Sequence, residues 1–355
     1  MRRALTLAER GLGRTTPNPV VGACVVTDEG VVVGQGAHER AGEPHAEVHA
    51  LNAAGESARG ATLYCTLEPC VHTGRTGPCT ERIIAAGIRR VVAAIEDPDP
   101  RVSGRGVAAL RARGLQVDVG PGRDRAIEIN LPFFTAKRHG RPFVVLKAAV
   151  SRDGYIAARP GERTLLTSAA ANRHAQYVRA RMDAIAVGSE TILVDNPWLT
   201  VRDVYRERPF TRVIFDRRLR TPPQARLFST LTAGPVIILT SREILMAEPA
   251  RASSLERVGA TIVPVADGGI TPMLRELLAF DLQSVLLEGG SGIHAAAWDE
   301  GTVDAVHLYM TRHVLGPGGV KFLDGRPFSP SSLHGVQYYS RGGDVILEGY
   351  VHRPD

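Results

Sequence analysis

Short apolar runs rich in valine and isoleucine alternate along this chain with stretches of helical periodicity. In the first 140 residues the runs predict strands at Val20–Val26, Val31–Gly36, Thr62–Glu68, Val91–Ile95 and Leu115–Val119. The helical stretches lie between them, at His45–Ala54, Cys79–Ala86 and Gly106–Arg113. Because strands alternate with helices of these lengths, the pattern predicts a sheet covered by helices.

The alternation restarts after the polar stretch Lys137–Pro142. Strands are predicted at Phe143–Ala149, Ala184–Gly188, Arg212–Asp216, Pro235–Thr240, Thr261–Val265, Ser284–Glu288 and Ala305–Thr311. Helices are predicted at Ser168–Met182, Thr271–Phe280 and Gly292–Glu300. We therefore expect two α/β domains, residues 1–140 and 141–355, which agrees with roughly 100–200 residues per domain.

Composition and charge narrow the class of protein. Hydrophobic residues make up 44% and charged residues 23% of the 355 residues, which is typical of a globular protein. Only three basic residues are lysine, so 40 are arginine, and the net charge of +6 is shared equally between the two halves. This even distribution argues against a nucleic-acid groove, whereas the planar arginine fork suits phosphorylated small molecules.

The cysteines and the N-terminal segment indicate a cellular compartment. Four cysteines are too few for a disulfide scaffold. The basic start of the chain is followed by Glu9 and polar residues rather than by the apolar core of a secretory signal. We therefore expect a cytoplasmic protein.

One group of residues carries clear metal chemistry. The stretch Pro44–Glu47 is followed by a proline-preceded Cys70 and a proline-preceded Cys79. One imidazole, from His45, and two thiolates suit a tetrahedral zinc with one position left for water. Glu47 can then move a proton from that water to a leaving amine. Each residue alone would fit a surface histidine or a buried thiol, but the order matches the zinc deaminases.

Neighbouring residues are open to simpler interpretations. His49 is interpreted either as a packing residue or as a residue just outside the metal ligands, since an H-x-x-x-H site would displace the carboxylate between the histidines. Cys24 and Cys65 lie inside predicted strands and are expected to be core thiols. Asn18 lies between two prolines, where it either forms a turn or lines a heterocycle pocket.

At this point the chain resembles the bifunctional riboflavin-biosynthesis deaminase–reductases. The matching stretches are Thr16–Gly22, Gly42–Ala50, Thr66–Cys70 and His72–Cys79. Eight residues separate the two cysteines instead of the usual two to four, and this longer loop distinguishes the family from cytidine and tRNA-adenosine deaminases. The resemblance implies an N-terminal cytidine-deaminase-like three-layer domain with zinc ligands His45, Cys70 and Cys79. It also implies that Glu47 is the proton shuttle.

The second half contains one suggestive local feature. No G-x-G-x-x-G motif follows a strand, but Leu286–His294 reads as a strand, a glycine-rich turn and a helix start. Such a turn either approaches a phosphate or is only a tight connection. The resemblance continues here through Lys147–Gly154, Gly188–Arg202 and Leu287–Gly290. It implies a dihydrofolate-reductase-like domain that uses NADPH.

The resemblance also implies which residues of this domain contact ligands. Those implied for NADPH are Val150, Thr191, Asp195, Gly290, Ser291, Gly292, Ile293, His294, Ala295 and Ala296. Those implied for the phosphoribosyl substrate are Arg179, Leu199, Arg202 and Glu288, with Asn18 added in the first domain.

Three positions depart from the family pattern. Arg152 replaces the leucine of Ser-Leu-Asp-Gly, and Arg163 and Leu165 replace a serine and a tryptophan near cofactor and substrate. Loss of the aromatic ring and of a hydroxyl would weaken reduction. An alternative is therefore an active deaminase whose second domain only binds a phosphorylated metabolite.

The implied activity has two steps. A zinc-activated water deaminates 2,5-diamino-6-ribosylamino-4(3H)-pyrimidinone 5′-phosphate, and NADPH then reduces the ribosyl group to ribityl. The expected partners are this small-molecule substrate and further copies of the chain, without nucleic acid or membrane. A nucleic-acid base deaminase is a further alternative, which the absence of a basic stretch disfavours.

Overall fold

The computed structural model describes residues 1–71, 77–100, 102–266 and 268–353. The chain divides into two compact units, Met1–His139 and Gly140–Arg353. In the described part of the chain, no helix has both the length and the apolarity needed to cross a membrane.

The first unit is built on one mixed sheet. Its strands are β1 (Gly22–Val26), β2 (Val32–Ala37), β3 (Thr62–Cys65), β4 (Arg90–Ala93) and β5 (Gln116–Val119). Its helices are α1 (Arg2–Ala8), α2 (Ala46–Ala54), α3 (Cys79–Ala85), α4 (Arg105–Ala112), α5 (Arg123–Glu128) and α6 (Leu131–His139). The strand order is β2-β1-β3-β4-β5, with β1 antiparallel to both neighbours and β3, β4 and β5 parallel.

Helices cover both faces of this sheet. Along β1, Ala23 and Val25 point into the main core, whereas Cys24 packs on the other side against Ala4 and Leu7 of α1. This alternation follows from the two-residue period of a strand. The first unit therefore has three layers, as expected. Cys24 and Cys65 are both buried free thiols, which confirms their interpretation as core residues.

Glycines in β2 determine how closely α2 approaches the sheet. A Cβ atom at Gly34 would lie 2.1 Å from the carbonyl oxygen of Ala50, and one at Gly36 would lie 2.5 Å from that of Ala46. Any larger residue would therefore push the helix away from the strand. His45 directly precedes α2, so the two glycines also position that imidazole.

The second unit is built on a nine-stranded sheet. The strands of this unit, nine of which form that sheet, are β6 (Phe143–Val150), β7 (Tyr155–Ala157), β8 (Ala184–Gly188), β9 (Thr211–Phe215), β10 (Val236–Ser241), β11 (Ala260–Val265), β12 (Ser284–Leu287), β13 (Ala305–Met310), β14 (Val320–Lys321), β15 (His334–Arg341) and β16 (Asp344–Tyr350). Its helices are α7 (Ala169–Arg181), α8 (Ser189–Asp195), α9 (Arg242–Ala247), α10 (Pro249–Arg257), α11 (Ile270–Glu276) and α12 (Ser291–Asp299).

The order of the large sheet is β11-β10-β9-β8-β12-β6-β13-β16-β15. The seven strands from β11 to β13 are parallel, and β16 and β15 add an antiparallel hairpin at one edge. β7 and β14 pair separately. Ligands of such sheets bind beyond the carboxyl ends of the parallel strands.

Helices also cover both faces of the large sheet. On β13, Leu308 packs in the core that contains Met273 of α11, whereas Tyr309 on the opposite face packs with Ala171 and Ala175 of α7. Both units thus belong to the predicted α/β class.

The structure contains every strand and helix that the apolar pattern predicts, with small shifts of their ends. The elements that the pattern did not predict are the strands β7, β14, β15 and β16 and the helices α1, α5, α6, α8, α9 and α10. β15 is largely exposed and therefore lacks an apolar run. α1 begins with two arginines, so its start does not show an apolar pattern. The stretch predicted as polar and irregular from Lys137 is helical as far as His139, because it forms the last turn of α6.

Candidate active sites

The start of two helices and one loop bring the predicted metal ligands of the first unit together. His45 is the residue before α2, Cys79 is the first residue of α3, and Cys70 lies in the loop after β3. The partial positive charge at a helix N-terminus favours a thiolate at Cys79. Two hydrogen bonds tie the loop to α3, since the backbone N–H and the hydroxyl of Thr80 both donate to the carbonyl oxygen of Cys70.

The spacing of the three ligand atoms fits zinc. Nδ1 of His45 lies 3.2 Å from Sγ of Cys79 and 3.6 Å from Sγ of Cys70. All three ligand atoms lie within 4.8 Å of one another. Zinc bonds of about 2.3 Å to sulfur and about 2.0 Å to nitrogen, at tetrahedral angles, place ligand atoms roughly 3.5–3.8 Å apart. The donor set and its spacing therefore suit zinc without a rearrangement of the backbone.

Hydrogen bonding within the cluster favours a thiolate at Cys70. Its hydrogen bond with Cys79 lowers the pKa of Cys70 to about 4 and raises the pKa of Cys79. Glu47 is buried in the same place, and burial raises the pKa of its carboxyl group. A carboxyl group with a raised pKa beside the metal ligands is suited to taking up and releasing a proton.

His38 was not predicted, but it determines the orientation of Asn18. Its Nδ1 lies 3.1 Å from the carbonyl oxygen of Pro44, which can only accept, so Nδ1 carries the proton. Nε2 is then an acceptor, and the atom that faces it at 3.0 Å is the side-chain nitrogen of Asn18. The amide oxygen of Asn18 is thereby left as an acceptor for a ligand. Asn18 also closes a turn, donating its backbone N–H to the carbonyl oxygen of Thr15.

The His38 ring also stacks edge-on against the His45 ring at 5.3 Å. The sequence signal for His38 was weak, because a single histidine at the end of a strand has many interpretations. His49 packs against β2, as interpreted, since its Cβ atom lies only 2.4 Å from where a Gly36 Cβ would be.

Glu68 is the second residue that sequence reasoning missed as part of this site. Its carboxylate is buried and accepts backbone N–H groups from Asp97, Gly104 and Val107. These bonds tie the loop that carries Cys70 to the start of α4. Residues 72–76 of the loop between the cysteines, part of the matching stretch His72–Cys79, lie outside the described residues.

In the second unit, Arg179 and Glu288 form a direct ion pair. The Arg179 guanidinium donates two parallel hydrogen bonds of 2.7 Å to the Glu288 carboxylate, and its third nitrogen donates to the carbonyl oxygen of Thr200. Lys147 Nζ lies 4.0 Å from the same carboxylate. Burial alone would raise the pKa of Glu288, but the charges of Arg179 and Lys147 lower it to about 2.

Lys147 appeared in the sequence only as part of a matching stretch, yet it is a buried cation at the carboxyl half of β6. Its ammonium group lies 5.0 Å from the centre of the Tyr309 ring. Burial lowers the pKa of Lys147. His174 continues the polar network, since its two ring nitrogens lie 2.9 Å from the Tyr309 hydroxyl and 3.1 Å from the Tyr339 hydroxyl.

The glycine-rich turn after β12 forms a cradle that fits a phosphate-bearing cofactor. Gly289 has φ of +132°, and a Cβ atom there would lie 3.0 Å from the Thr191 hydroxyl oxygen. Cβ atoms at Gly290 and Gly292 would meet nothing within 4 Å, so the backbone is open there. Since α12 begins at Ser291, its free N–H groups face this open side.

Other residues predicted to contact the cofactor have different surroundings. The Ser291 hydroxyl donates to the carbonyl oxygen of Lys321, and His294 and Ala295 are buried. Val150 ends β6, and Asp195 ends α8, where burial raises the pKa of its carboxyl group. These assignments, including that of the partly exposed Ala296, stay predictions.

The remaining substrate residues lie beside α7. The backbone N–H of Arg202 donates to the side chain of Gln176, and the Arg202 side chain is exposed. Leu199 is buried and has φ of +54°. The segment of residues 199–202 is therefore held against α7, where Arg179 also lies.

The three departures from the family pattern lie at the surface. Arg152 is exposed in a turn that Ser151 and Asp153 close through a 2.7 Å hydrogen bond, so its side chain leaves the turn intact. Arg163 is exposed too, and its charge acts on Asp195. Leu165 is 77% exposed, which is unusual for a leucine.

Comparisons with known proteins agree with this arrangement. Residues 142–347 match the RibD C-terminal domain, and residues 1–95 match the cytidine and deoxycytidylate deaminase zinc-binding region. The riboflavin biosynthesis protein RibD of Aquifex aeolicus is 41% identical over 90% of this chain and 87% of its own length. That of Escherichia coli is 38% identical over 98% of this chain and 97% of its own length.

Solved structures show the same similarity. RibD of Acinetobacter baumannii superposes with a TM-score of 0.86 at 33% identity, covering 99% of this chain and 98% of that one. A diaminohydroxyphosphoribosylaminopyrimidine deaminase/5-amino-6-(5-phosphoribosylamino)uracil reductase of Thermotoga maritima gives a TM-score of 0.81 at 33% identity, covering 99% and 97%.

The burial of His294 predicts a pH dependence of stability. Burial lowers the pKa of His294 to about 4, from 6.5 for a free imidazole. Between these values the unfolded chain binds the additional proton, so stability on the order of 1–3 kcal/mol is lost as the pH falls from about 6.5 toward about 4. The variant His294→Leu lacks this loss. We compare the melting temperature of this variant with that of the unaltered protein. Relative to the unaltered protein, it should be roughly 3–8 °C higher at pH 5 than at pH 7.5.

The measurement is thermal unfolding of both proteins across this pH range. The matched control is His334→Leu, at an exposed histidine of β15. The difference in melting temperature between this control and the unaltered protein should be the same at every pH. The prediction would be contradicted if the difference in melting temperature between His294→Leu and the unaltered protein were the same at every pH.

Proposed function

Because the chain belongs to the RibD family of bifunctional riboflavin-biosynthesis enzymes, we propose that the two clusters described above are its two active sites. The enzyme is a diaminohydroxyphosphoribosylaminopyrimidine deaminase and 5-amino-6-(5-phosphoribosylamino)uracil reductase, with zinc and NADPH as cofactors. We assign deamination to residues 1–140 and reduction to residues 141–355. Neither a second domain that only binds a metabolite nor a nucleic-acid base deaminase is favoured, since the relatives match both halves.

The observation that carries the deaminase assignment is the convergence of His45, Cys70 and Cys79 beside the buried Glu47. These three residues would hold zinc, which when bound lowers the pKa of water toward ~7 and so supplies the nucleophile. The Glu47 carboxylate takes the proton of the attacking water and passes it to the amino group that leaves as ammonia.

Asn18 supplies recognition in the same site. Because His38 fixes the direction of its amide, the Asn18 oxygen is available to accept a hydrogen bond from a ring N–H or amino group. His38 is the positioning residue, and it stays neutral because burial lowers its pKa. The polar edge of a diaminopyrimidine matches this acceptor.

In the reductase site we assign different tasks to the two substrate arginines. The fork of Arg179 is occupied by Glu288, so Arg179 holds that carboxylate in place for the sugar hydroxyls. The Arg202 side chain is exposed and makes no hydrogen bond among the described residues, so it is the arginine available to the phosphate. Leu199 is buried at the start of the segment of residues 199–202.

The cofactor residues act mainly through the backbone. Gly290 and Gly292 leave room for the pyrophosphate at the start of α12, with Thr191 beside them. NADPH, when bound, supplies the hydride for C1′ of the sugar. The exposed Leu165 offers an apolar surface at the position where the family has tryptophan, so we expect cofactor contact to survive this replacement.

We also propose that the enzyme is cytoplasmic and forms a homo-oligomer. Zinc-binding thiols need a reducing compartment. β2 is an edge strand of the first sheet, and two exposed valines, Val31 just before it and Val32 at its start, offer an apolar edge for a second copy. Sedimentation of the full chain tests the proposed homo-oligomer, and a monomer at assay concentrations would contradict it.

The proton-shuttle role predicts the behaviour of Glu47→Gln. The amide keeps the shape of the side chain but cannot take up the proton, so ammonia release should fall roughly 10²–10⁴-fold. Zinc should be retained, since Glu47 is not a ligand, and metal analysis checks this. Glu56→Gln, at an exposed glutamate beyond α2, is the control and should keep full activity. Undiminished ammonia release by Glu47→Gln would remove the role.

The reductase assignment predicts two successive mass changes. Incubation of the diaminopyrimidine substrate with zinc-loaded protein should exchange an amino group for oxygen, and addition of NADPH should add two hydrogens with loss of NADPH absorbance. Arg202→Ala should raise KM for the second change only, because it acts on the phosphate in the reductase site. Deamination without NADPH consumption would show that the second domain is not a reductase.

A further inference from the structure

A chain of hydrogen-bonded side chains lies between α7 and the large sheet and ends beside Lys147. The Tyr309 ring is fully buried among two alanines of α7. Its hydroxyl group lies 2.9 Å from Nδ1 of His174, whose Nε2 lies 3.1 Å from the hydroxyl of Tyr339. That second hydroxyl donates to the carboxylate of Glu348. Four side chains from β13, α7, β15 and β16 are therefore joined in one line.

The carboxylate of Glu348 determines the direction of the first two bonds. An ionised carboxylate can only accept, so the Tyr339 hydroxyl donates to Glu348 and is left as an acceptor for His174. Nε2 of His174 therefore carries the ring proton. His307 faces the same carboxylate at 3.4 Å, and burial lowers the pKa of His307, so it brings no charge of its own at neutral pH.

His174 stays neutral, so its second nitrogen is an acceptor. Burial lowers the pKa of His174, and the charges of Arg341 and Arg181 act in the same direction, against the attraction of Glu348. Nδ1 therefore accepts a hydrogen bond from the Tyr309 hydroxyl. All three bonds of the chain thus point from Tyr309 toward Glu348, which leaves the Tyr309 oxygen richer in negative charge.

The face of the Tyr309 ring is where this chain meets the reductase site. Nζ of Lys147 lies 5.0 Å from the ring centre and 4.0 Å from the carboxylate of Glu288. A cation is attracted to the electron-rich face of an aromatic ring, and the attraction is stronger where both are buried. Because the Tyr309 hydroxyl donates its hydrogen bond, the ring gains electron density and attracts the ammonium group more strongly.

Lys147 needs this attraction, because its other surroundings are divided over its charge. Burial lowers the pKa of Lys147, Glu288 acts against this, and Arg179 repels the ammonium group. Glu288 is also shared, since it accepts two hydrogen bonds from Arg179. His294 of α12 adds no charge at neutral pH, because burial lowers its pKa to about 4. The Tyr309 ring therefore supplies attraction that does not depend on the shared carboxylate.

We propose that Tyr309 and His174 are positioning residues of the reductase site. They keep Lys147 charged and in place against Glu288, and they thereby set the alkaline limit of reduction. The inference rests on the proposed function, in which Glu288 is held for the sugar hydroxyls. Once Lys147 loses its proton, the neutral amine no longer pairs with that carboxylate, so reduction should fall as the pH rises through the pKa of Lys147.

The charge of Lys147 can be measured directly, because the chain has only three lysines. The test is an NMR titration of the full-length, zinc-loaded protein labelled with ¹³C at the lysine Cε, without substrate or NADPH. Lys137→Arg and Lys321→Arg assign the other two signals. Tyr309→Leu should lower the titration midpoint of Lys147 by roughly 0.5–1.5 pH units, because it removes the ring.

Two milder variants separate the ring from the chain behind it. Tyr309→Phe keeps the ring and loses only the hydrogen bond to His174, so it should lower the Lys147 midpoint by less than Tyr309→Leu does. His174→Leu should have the same effect as Tyr309→Phe. In each variant the alkaline limb of NADPH consumption should move to lower pH by the same amount as the midpoint, while ammonia release stays unchanged.

The control is Tyr338→Leu, at a tyrosine of β15 that is 57% exposed, which should alter neither the midpoint nor the pH profile. An unchanged Lys147 midpoint in Tyr309→Leu, or an equal change in Tyr338→Leu, would overturn the inference. A lowered midpoint without a matching shift of the NADPH profile would overturn it as well.

Two further outcomes are also decisive. If Tyr309→Leu does not fold, Tyr309→Phe and His174→Leu take its place, and a midpoint equal to that of the unaltered protein in both would overturn the inference. If the unaltered protein consumed no NADPH at any pH, the proposed reductase function would fail, and the alkaline limit would fail with it whatever the titration showed.

Discussion

The buried carboxylate of Glu288 imposes the constraint on which the reductase site depends. A buried carboxylate without a partner costs several kcal/mol, and removal of one partner from a buried pair costs about 3–5 kcal/mol. Arg179 from α7 and Lys147 from β6 must therefore both reach the end of β12. That requirement joins three elements distant in sequence and fixes the position of Glu288 beside the glycine-rich turn after β12.

The deaminase site meets a comparable constraint with backbone groups. Glu68 uses three backbone N–H donors to hold the loop of Cys70, and the glycines of β2 let α2 bring His45 to the same place. The helix starts at His45 and Cys79 then complete a ligand set whose spacing suits zinc. Packing of the protein's own elements therefore brings the three ligand atoms within 4.8 Å of one another.

The two sites use related architecture for different chemistry. In both, the functional groups lie beyond strand ends and at helix N-termini, where free N–H groups favour anions. The first site gathers two thiols and a buried carboxyl group, whereas the second offers an open backbone cradle and a guanidinium fork. In the proposed function, the same physical feature serves a metal in one unit and phosphates in the other.

The sequence alone predicted the α/β class, the main strands and a cluster of His45, Cys70 and Cys79, which the structure brings together beside the buried Glu47, because apolar periodicity and motif spacing can be read from the sequence itself. It did not reveal β15, His38 or the anchoring role of Glu68, since an exposed strand has no apolar run and a single polar residue has no pattern. Only the tertiary structure decided that Arg179 binds Glu288. Partners of a charge are brought together by packing across elements far apart in the chain, and no local sequence pattern records that.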